Sequence, residues 1–586
     1  MRTILAALFL SACGSAPSGS PRSPATSGTE TGQAPPVEDS AAPLDPRQPL
    51  QMAAPAQVHT SGMATPDVCG QCHENAESAD AMRLLDGSPV GPYDLQHASV
   101  MANAGRDPLF YAVLAAESAR VDAGPAEVEA VCFRCHAPAA VAESASTGAA
   151  LVDAATLRAG EGAAATLGRD GVTCVSCHRM ADDGLETPER WTGAFRVDES
   201  GSVFGPHADP FTHPMEMHTG WTPTQSDHIR DSRLCASCHT LQTHTVVDGA
   251  VSEATFLEQA TWLEWRASAY AGDDGGASCQ DCHMPTTEAD GADVHTRIAR
   301  RPNGTDFSQI EARSPYGLHS QLGGNTLLLS LLQDHRDILQ PRASDDALSQ
   351  ALSATRSMLG TAAVVRVDEF ARQEGGLQAT ISVENHTGHK LPTGYPARRA
   401  WLSVEVRDAS GETVFAAGRT DDAGRVLDAA GAPLGSERVG GPAPAHVTTV
   451  GPDGQVPIYG VTMRDTDGQP TWRLLPAAAM GRDTRLLPRG WDASLAETEV
   501  GSLAPVGVDE DPDFLPGGDR VTLALPTLPG ETPHTLHVAL RYQPLSPRFA
   551  AELGVEALPE VTALGAMLDV TGLPTETLAE GSVEIP

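Results

Sequence analysis

Five copies of one short motif constrain this chain more than any other feature. Ten of its eleven cysteines occur as C-x-x-C pairs, and a histidine follows each pair. The sets are Cys69, Cys72 and His73; Cys132, Cys135 and His136; Cys174, Cys177 and His178; Cys235, Cys238 and His239; and Cys279, Cys282 and His283. C-x-x-C-H is the attachment signature of c-type haem. One helical turn brings both thiols to one side, where they add to the two vinyl groups of a porphyrin, and aims the next imidazole at the iron. Zinc accounts for the pattern less well. Two pairs make one tetrahedral site, five is an odd number, and zinc gives no reason for a histidine after every pair. A redox dithiol needs one pair in a thioredoxin-like unit, not five. The expected cofactors are therefore five covalently bound c-type haems with their iron, and no thiol among the ten is left for a structural disulfide.

Composition fits that expectation. Aromatic residues are only 4% of 586, and porphyrins crowded between Cys69 and His283 would replace much of a side-chain core. Such crowding also keeps neighbouring haems close enough for electron hopping. No C-x-x-C-K variant marks one haem as a modified substrate site, and no catalytic residue is assigned. Charge is lopsided, with 39 basic against 76 acidic side chains and a net of −37. That field repels nucleic-acid phosphates, so a nucleic-acid partner is excluded. It favours redox partner proteins with a basic docking face.

The chain opens MRTILAALFLSAC. Arg2 and the apolar run Ile4–Leu10 read as a signal peptide, too short to span about 30 Å of hydrocarbon. Leu10-Ser11-Ala12-Cys13 resembles a bacterial lipobox, which makes Cys13 the expected lipidation site. Gly14 and Ser15 follow, with no aspartate, which fits outer-membrane sorting in lipoproteins. Membrane attachment is then expected through lipid only. Residues 14–66, rich in Ser, Pro, Gly, Thr and Ala, read as a disordered tether.

A low-spin electron-transfer haem takes a second strong ligand, usually His or Met. His97 and Met101 stand four residues apart and would face the same way on a helix. His228 precedes the fourth motif, in a region that also holds His207, His213, His218 and His244. His319 sits just before Gly323-Gly324-Asn325, and Asn325 reads as the N-cap of an apolar helix through Leu332. His59 is a further candidate near the first motif. Asp107 and Pro108 open another helix. His389 lies far beyond the last motif, in Asn385-His386-Thr387-Gly388-His389-Lys390-Leu391-Pro392-Thr393-Gly394. That stretch reads either as a tight turn or as a ligand loop reaching back to a haem. Lys390, the sole lysine, is placed to meet a haem propionate.

Several segments carry a resemblance to a known family. They are Ser99-Val100-Met101-Ala102-Asn103-Ala104-Gly105-Arg106-Asp107-Pro108, Gly171-Val172-Thr173-Cys174 through His178, Ser278-Cys279-Gln280-Asp281-Cys282-His283-Met284-Pro285, and Gly388-His389-Lys390-Leu391-Pro392-Thr393-Gly394. Over roughly residues 66–545 the chain resembles bacterial multihaem cytochromes c, including the tetrahaem type of nitrifying bacteria and its larger exported relatives. The resemblance implies electron transfer in the periplasm or at the cell surface, mostly bis-histidine haems, and helices packed around a haem stack. The family type often has Trp-x-x-Ser shortly before the distal histidine, whereas here His97 stands where Trp would be and Met101 near the ligand position.

Beyond residue 340 the cysteines stop and strands dominate. Leu377, Ala379, Ile381 and Val383 alternate with polar residues, a period of two. Leu402, Val404 and Val406 do the same, and Ala409-Ser410-Gly411 turns them into a hairpin. Val521, Leu523 and Leu525, then Leu536, Val538, Leu540 and Tyr542, make two more strands. The expected fold class is α+β: a mainly helical and loop haem domain at 67–342, then an antiparallel, immunoglobulin-like β-sandwich at 343–586 with a long insertion around 420–515. The expected function is electron transfer along five haems. The rival reading is a multihaem oxidoreductase acting on a small nitrogen or sulfur compound at one open-coordinate iron.

Overall fold

A computed structural model of the chain describes residues 45–272, 275–288, 291–373 and 375–586. The signal peptide, Cys13 and the tether as far as residue 44 lie outside them. No helix among the described residues is long and apolar enough to cross a membrane.

The first half is built of short helices joined by long loops. Several start with proline, which lacks the N–H that a helix start leaves unpaired: Pro66–His73, Pro108–Ser118, Pro125–His136 and Pro138–Thr147. Asp107 caps Pro108–Ser118 by accepting from the Leu109 amide, and Asn325 caps Thr326–Asp334 through the Leu328 amide. Ser344 does the same for Asp345–Leu359. One hairpin, β1 (Leu241–Val247) and β2 (Ala250–Gln259), stands among these helices.

Among the described residues the second half is dominated by two sheets, beside a small ladder of Glu497–Thr498 with Gly501–Ser502. The strands are β3 (Ala363–Gln373), β4 (Gly376–Asn385), β5 (Arg399–Arg407), β6 (Thr413–Ala417), β7 (Thr449–Val450), β8 (Ile458–Asp465), β9 (Pro470–Thr471), β10 (Ala477–Asp483), β11 (Gly518–Leu525), β12 (His534–Gln543) and β13 (Glu576–Ile585). One sheet runs β9-β8-β5-β12-β13, with β6 on β5 and β10 on β8. The other runs β3-β4-β11-β7. Apart from the parallel β11–β7 pair, the ladders in these two sheets are antiparallel. The alternating residues of β4, β5, β11 and β12 point into one shared core, with Ile381, Val383, Trp401, Leu402, Val404, Val521, Leu523 and Leu540 all fully buried. Four strands thus form where the period of two placed them.

Three boundaries differ from expectation. Residues 45–66 are packed rather than loose: Leu50 and Met52 are buried in a helical core, and Arg47 bridges Asp45 and Asp337. Small and proline-rich stretches hide such anchors because only a few large apolar side chains, Leu50, Met52 and Met63, do the packing. The region 420–515 is no appendage, since β8 pairs directly with β5 and Val450, Ile458 and Tyr459 lie in the shared core. Its Gly, Pro and Asp residues mark turns between short strands. A division at residue 342 does not separate the packing either. The C-terminal helices Pro547–Leu553 and Pro559–Thr571 return to the first half, where Phe549, Leu564 and Met567 share a core with Phe110 and Leu114.

Candidate functional site

Each C-x-x-C-H set ends a helix: Pro66–His73, Pro125–His136, Cys174–His178, Arg233–His239 and Cys279–His283. The last is fixed by a capping box between Ser278 and Asp281. All ten cysteines and all five adjacent histidines line one continuous cavity of about 1800 Å³. Among the described residues no three of these thiols and imidazoles converge within 4.8 Å, as a shared zinc site would require. Burial pushes the Cys132 thiol up, and the Cys177 thiol up to about 12, so these sulfurs sit neutral rather than as metal-ready thiolates.

The motifs are not strung in sequence order. Cys69 meets Cys174, Cys135 meets Cys238, and Cys235 meets Cys279. Cys177 also lies near Cys238, and His239 near His283. The first motif therefore adjoins the third and the third adjoins the fourth. The second and fifth both flank the fourth.

Two predicted distal histidines face proximal ones. His178 and His319 lie nearly parallel, with ring centroids 6.1 Å apart and planes 17° from each other. His283 and His389 repeat the arrangement at 6.4 Å and 14°. Two metal–imidazole bonds of about 2 Å each plus the two ring radii span these separations. The rings are also aimed. Nδ1 donates to a backbone carbonyl in His73 (Ile298, 2.8 Å), His178 (Phe204, 2.6 Å), His283 (Leu322, 2.5 Å), His319 (Gly317, 2.9 Å) and His389 (Lys390, 2.9 Å). A carbonyl can only accept, so Nδ1 carries the proton and Nε2 keeps its lone pair for a metal. Burial depresses His319 and His389 to about 4, which keeps both rings neutral at pH 7. The donor set, its orientation and the cavity thus fit covalently held, bis-histidine iron porphyrins at the third and fifth motifs.

Other candidates sit elsewhere. His97 stacks on Tyr93 at 4.7 Å, gives Nδ1 to the Tyr93 carbonyl, and lies off the cavity, whereas Met101 lines it. His228 is buried with Nδ1 2.6 Å from Ser226 Oγ and Nε2 3.0 Å from the Met180 carbonyl, so both ring nitrogens are taken. His59 is exposed, edge-on to Trp221. His207 is half-buried and lines the cavity. Lys390 does not face the cavity. It is fully buried, 2.7 Å from Asp483, beside the Arg485–Asp483 and Arg485–Glu264 pairs. One salt-bridge network therefore claims the charge expected at a propionate.

The second motif differs from the third and fifth. The Phe110 ring stacks on His136 at 3.9 Å and 7°, and no second histidine ring faces His136 among the described residues. His136 Nδ1 is buried without a formed hydrogen bond. Glu258 and Glu117 lie near Cys132, and Tyr395, whose buried hydroxyl has no partner, lies near both. All three line the cavity. Burial and then the Glu117 charge raise Glu258 to about 8, so it carries its proton at neutral pH. Sequence reasoning missed this group. Its one signal is a carboxylate directly after the apolar pair Phe256-Leu257.

A scan of protein-family models finds no match to this chain, and neither does a search of curated proteins. Among solved structures, the penta-heme cytochrome c552 from Thermochromatium tepidum is similar at 16% identity. The match covers 89% of this chain and 98% of that one, with a TM-score of 0.49. The likeness is distant, and what this chain does must be read from its own cavity.

Proposed function

We propose that this chain is an exported multihaem c-type cytochrome that moves electrons along five covalently bound haems. The observation that carries the reading is the single cavity lined by all ten C-x-x-C cysteines and their histidines, with His178/His319 and His283/His389 in parallel pairs. The haems would supply one-electron redox chemistry between iron(II) and iron(III). The chain's own residues do the rest. Ten thiols fix the macrocycles, paired imidazoles hold the metal, and backbone carbonyls set the imidazole tautomer. Motif adjacency makes the conducting path branched, with the first, third and fourth sites in series and the second and fifth as arms. The β module, read as an immunoglobulin-like sandwich, donates His389 to the fifth site. Lipid on Cys13 would hold the protein at the outer membrane, facing periplasm or cell surface, and a basic-faced redox partner would dock on its acidic surface. Pyridine haemochrome titration and intact mass on protein exported with haem-maturation machinery test the core reading. Five added macrocycles per chain are expected, and colourless protein would end the proposal. Cys13→Ser should abolish membrane partitioning if the anchor is lipid.

The Phe110–His136 arrangement favours a second reading, in which the second site stays open and the protein reduces or oxidises a small nitrogen or sulfur compound there. Reduced protein would then take up one carbon monoxide per chain. No uptake leaves electron transfer as the function.

A further inference from the structure

A second cluster of donors lies in the β module, and none of its members lines the haem cavity. One donor atom each from His446, Asp511 and Asp519 falls within 4.8 Å of the others. His446 Nε2 is 2.6 Å from an Asp511 oxygen. Tyr459 donates its hydroxyl to Asp519 Oδ2 at 2.8 Å, while Asp519 Oδ1 is buried with no hydrogen-bond partner. Asp519 is only 3% exposed. Both carboxylates are buried, and the ion pair formed here is the one to His446, which carries charge only when protonated. Two buried carboxylates with one conditional cation and one orphaned oxygen leave negative charge uncompensated.

We propose that His446, Asp511 and Asp519 form a divalent transition-metal site of the zinc class. The donor set decides the class. Zinc accepts imidazole nitrogen and carboxylate oxygen together at about 2.0–2.2 Å; the three donors already lie within 4.8 Å of one another, and binding would replace the 2.6 Å His446–Asp511 hydrogen bond with two bonds to the ion. Calcium takes six to eight oxygen ligands and has no use for an imidazole. Three protein ligands leave a fourth position for water, so the ion is exchangeable. Tyr459 acts behind the ligands by fixing the Asp519 carboxylate. The placement gives the ion a structural task. Asp519 is the second residue of β11 in one sheet, Tyr459 lies on β8 in the other, and His446 stands just before β7. An ion here pins the segment before β7 and the acidic loop around Asp511 to the sheet core, independently of the haems.

The test uses full-length, haem-loaded protein stripped with a chelator, then equilibrated with zinc chloride and assayed by elemental analysis, with iron as internal count. The expected result is one zinc per five iron and a rise in melting temperature on zinc addition. Asp519→Asn and His446→Gln should each weaken zinc binding at least tenfold at unchanged iron content. If Asp519→Asn loses haem, the partly exposed His446→Gln decides alone. Absence of zinc uptake by the wild-type chain, uptake unchanged in His446→Gln, or saturation by calcium in preference to zinc would each overturn the proposal.

Discussion

Removing the imidazole of His389 gives the sharpest test of the bis-histidine reading. Its ring stands 6.4 Å from that of His283, with Nδ1 tied to the Lys390 carbonyl. The loop that carries it does not depend on that ring. Asn385 Nδ2 donates to the His389 and Leu486 carbonyls at 2.8 and 3.0 Å, and Thr387 Oγ1 donates to the His389 carbonyl at 2.8 Å. His389→Ala therefore deletes a ligand while its backbone stays anchored. With five attachment motifs, one site is a fifth of the iron. The variant should convert that fifth from low-spin to high-spin, read by integrated EPR on oxidised protein, with the haem count unchanged. His319→Ala should do the same at the third site, and His228→Ala should do nothing, because both His228 ring nitrogens are already bonded within the protein. Thr387→Val loosens the loop behind the ligand and should weaken ligation by about 10–100-fold, seen as mixed spin states. An unchanged spectrum in His389→Ala, or a conversion in His228→Ala, would refute the assignment.

Further outcomes follow from the packing and charge. Asp483→Ala strands the buried Lys390 and Arg485 and should lower stability by about 3–5 kcal/mol, measured by denaturant unfolding. Burial pushes the Asp483 carboxyl up, but Arg485 and Lys390 outweigh it and hold it well below the ordinary 3.8. Its contribution is thus present above pH 3.8 and lost as pH falls through the lower folded value, a loss that Asp483→Ala should not show. Glu258 has the opposite sign: raised from 4.5 to about 8, it makes the wild type lose stability as pH rises across that window. Glu258→Gln should flatten that slope in melting curves taken against pH. Leu50→Ala should cost about 2–5 kcal/mol, whereas a loose tether would leave stability unchanged.

Local rules carried much of this fold. A period of two located β4, β5, β11 and β12, and side-chain caps at Asp107 and Asn325 located two helix starts. The ten cysteines and their histidines were readable because covalent attachment demands residues at fixed spacing. Distal ligands were harder, since nothing local ties His319 or His389 to a motif more than a hundred residues away. His97 and His228 sit nearer to motifs than His319 and His389 do, yet His97 lies off the cavity and both ring nitrogens of His228 are bonded within the protein. Lys390 misled for the same reason, because Asp483, its partner, lies 93 positions on and was invisible from the neighbourhood. The strands between 420 and 515 were masked by the turns that separate them.

The return of the last two helices onto Phe110 and Leu114 has a consequence for biogenesis. Phe110 and Leu114 line the cavity, and the helix that carries them gains its backing only when the final forty residues arrive. On the proposed reading, haem would be attached while that helix still lacks its C-terminal support.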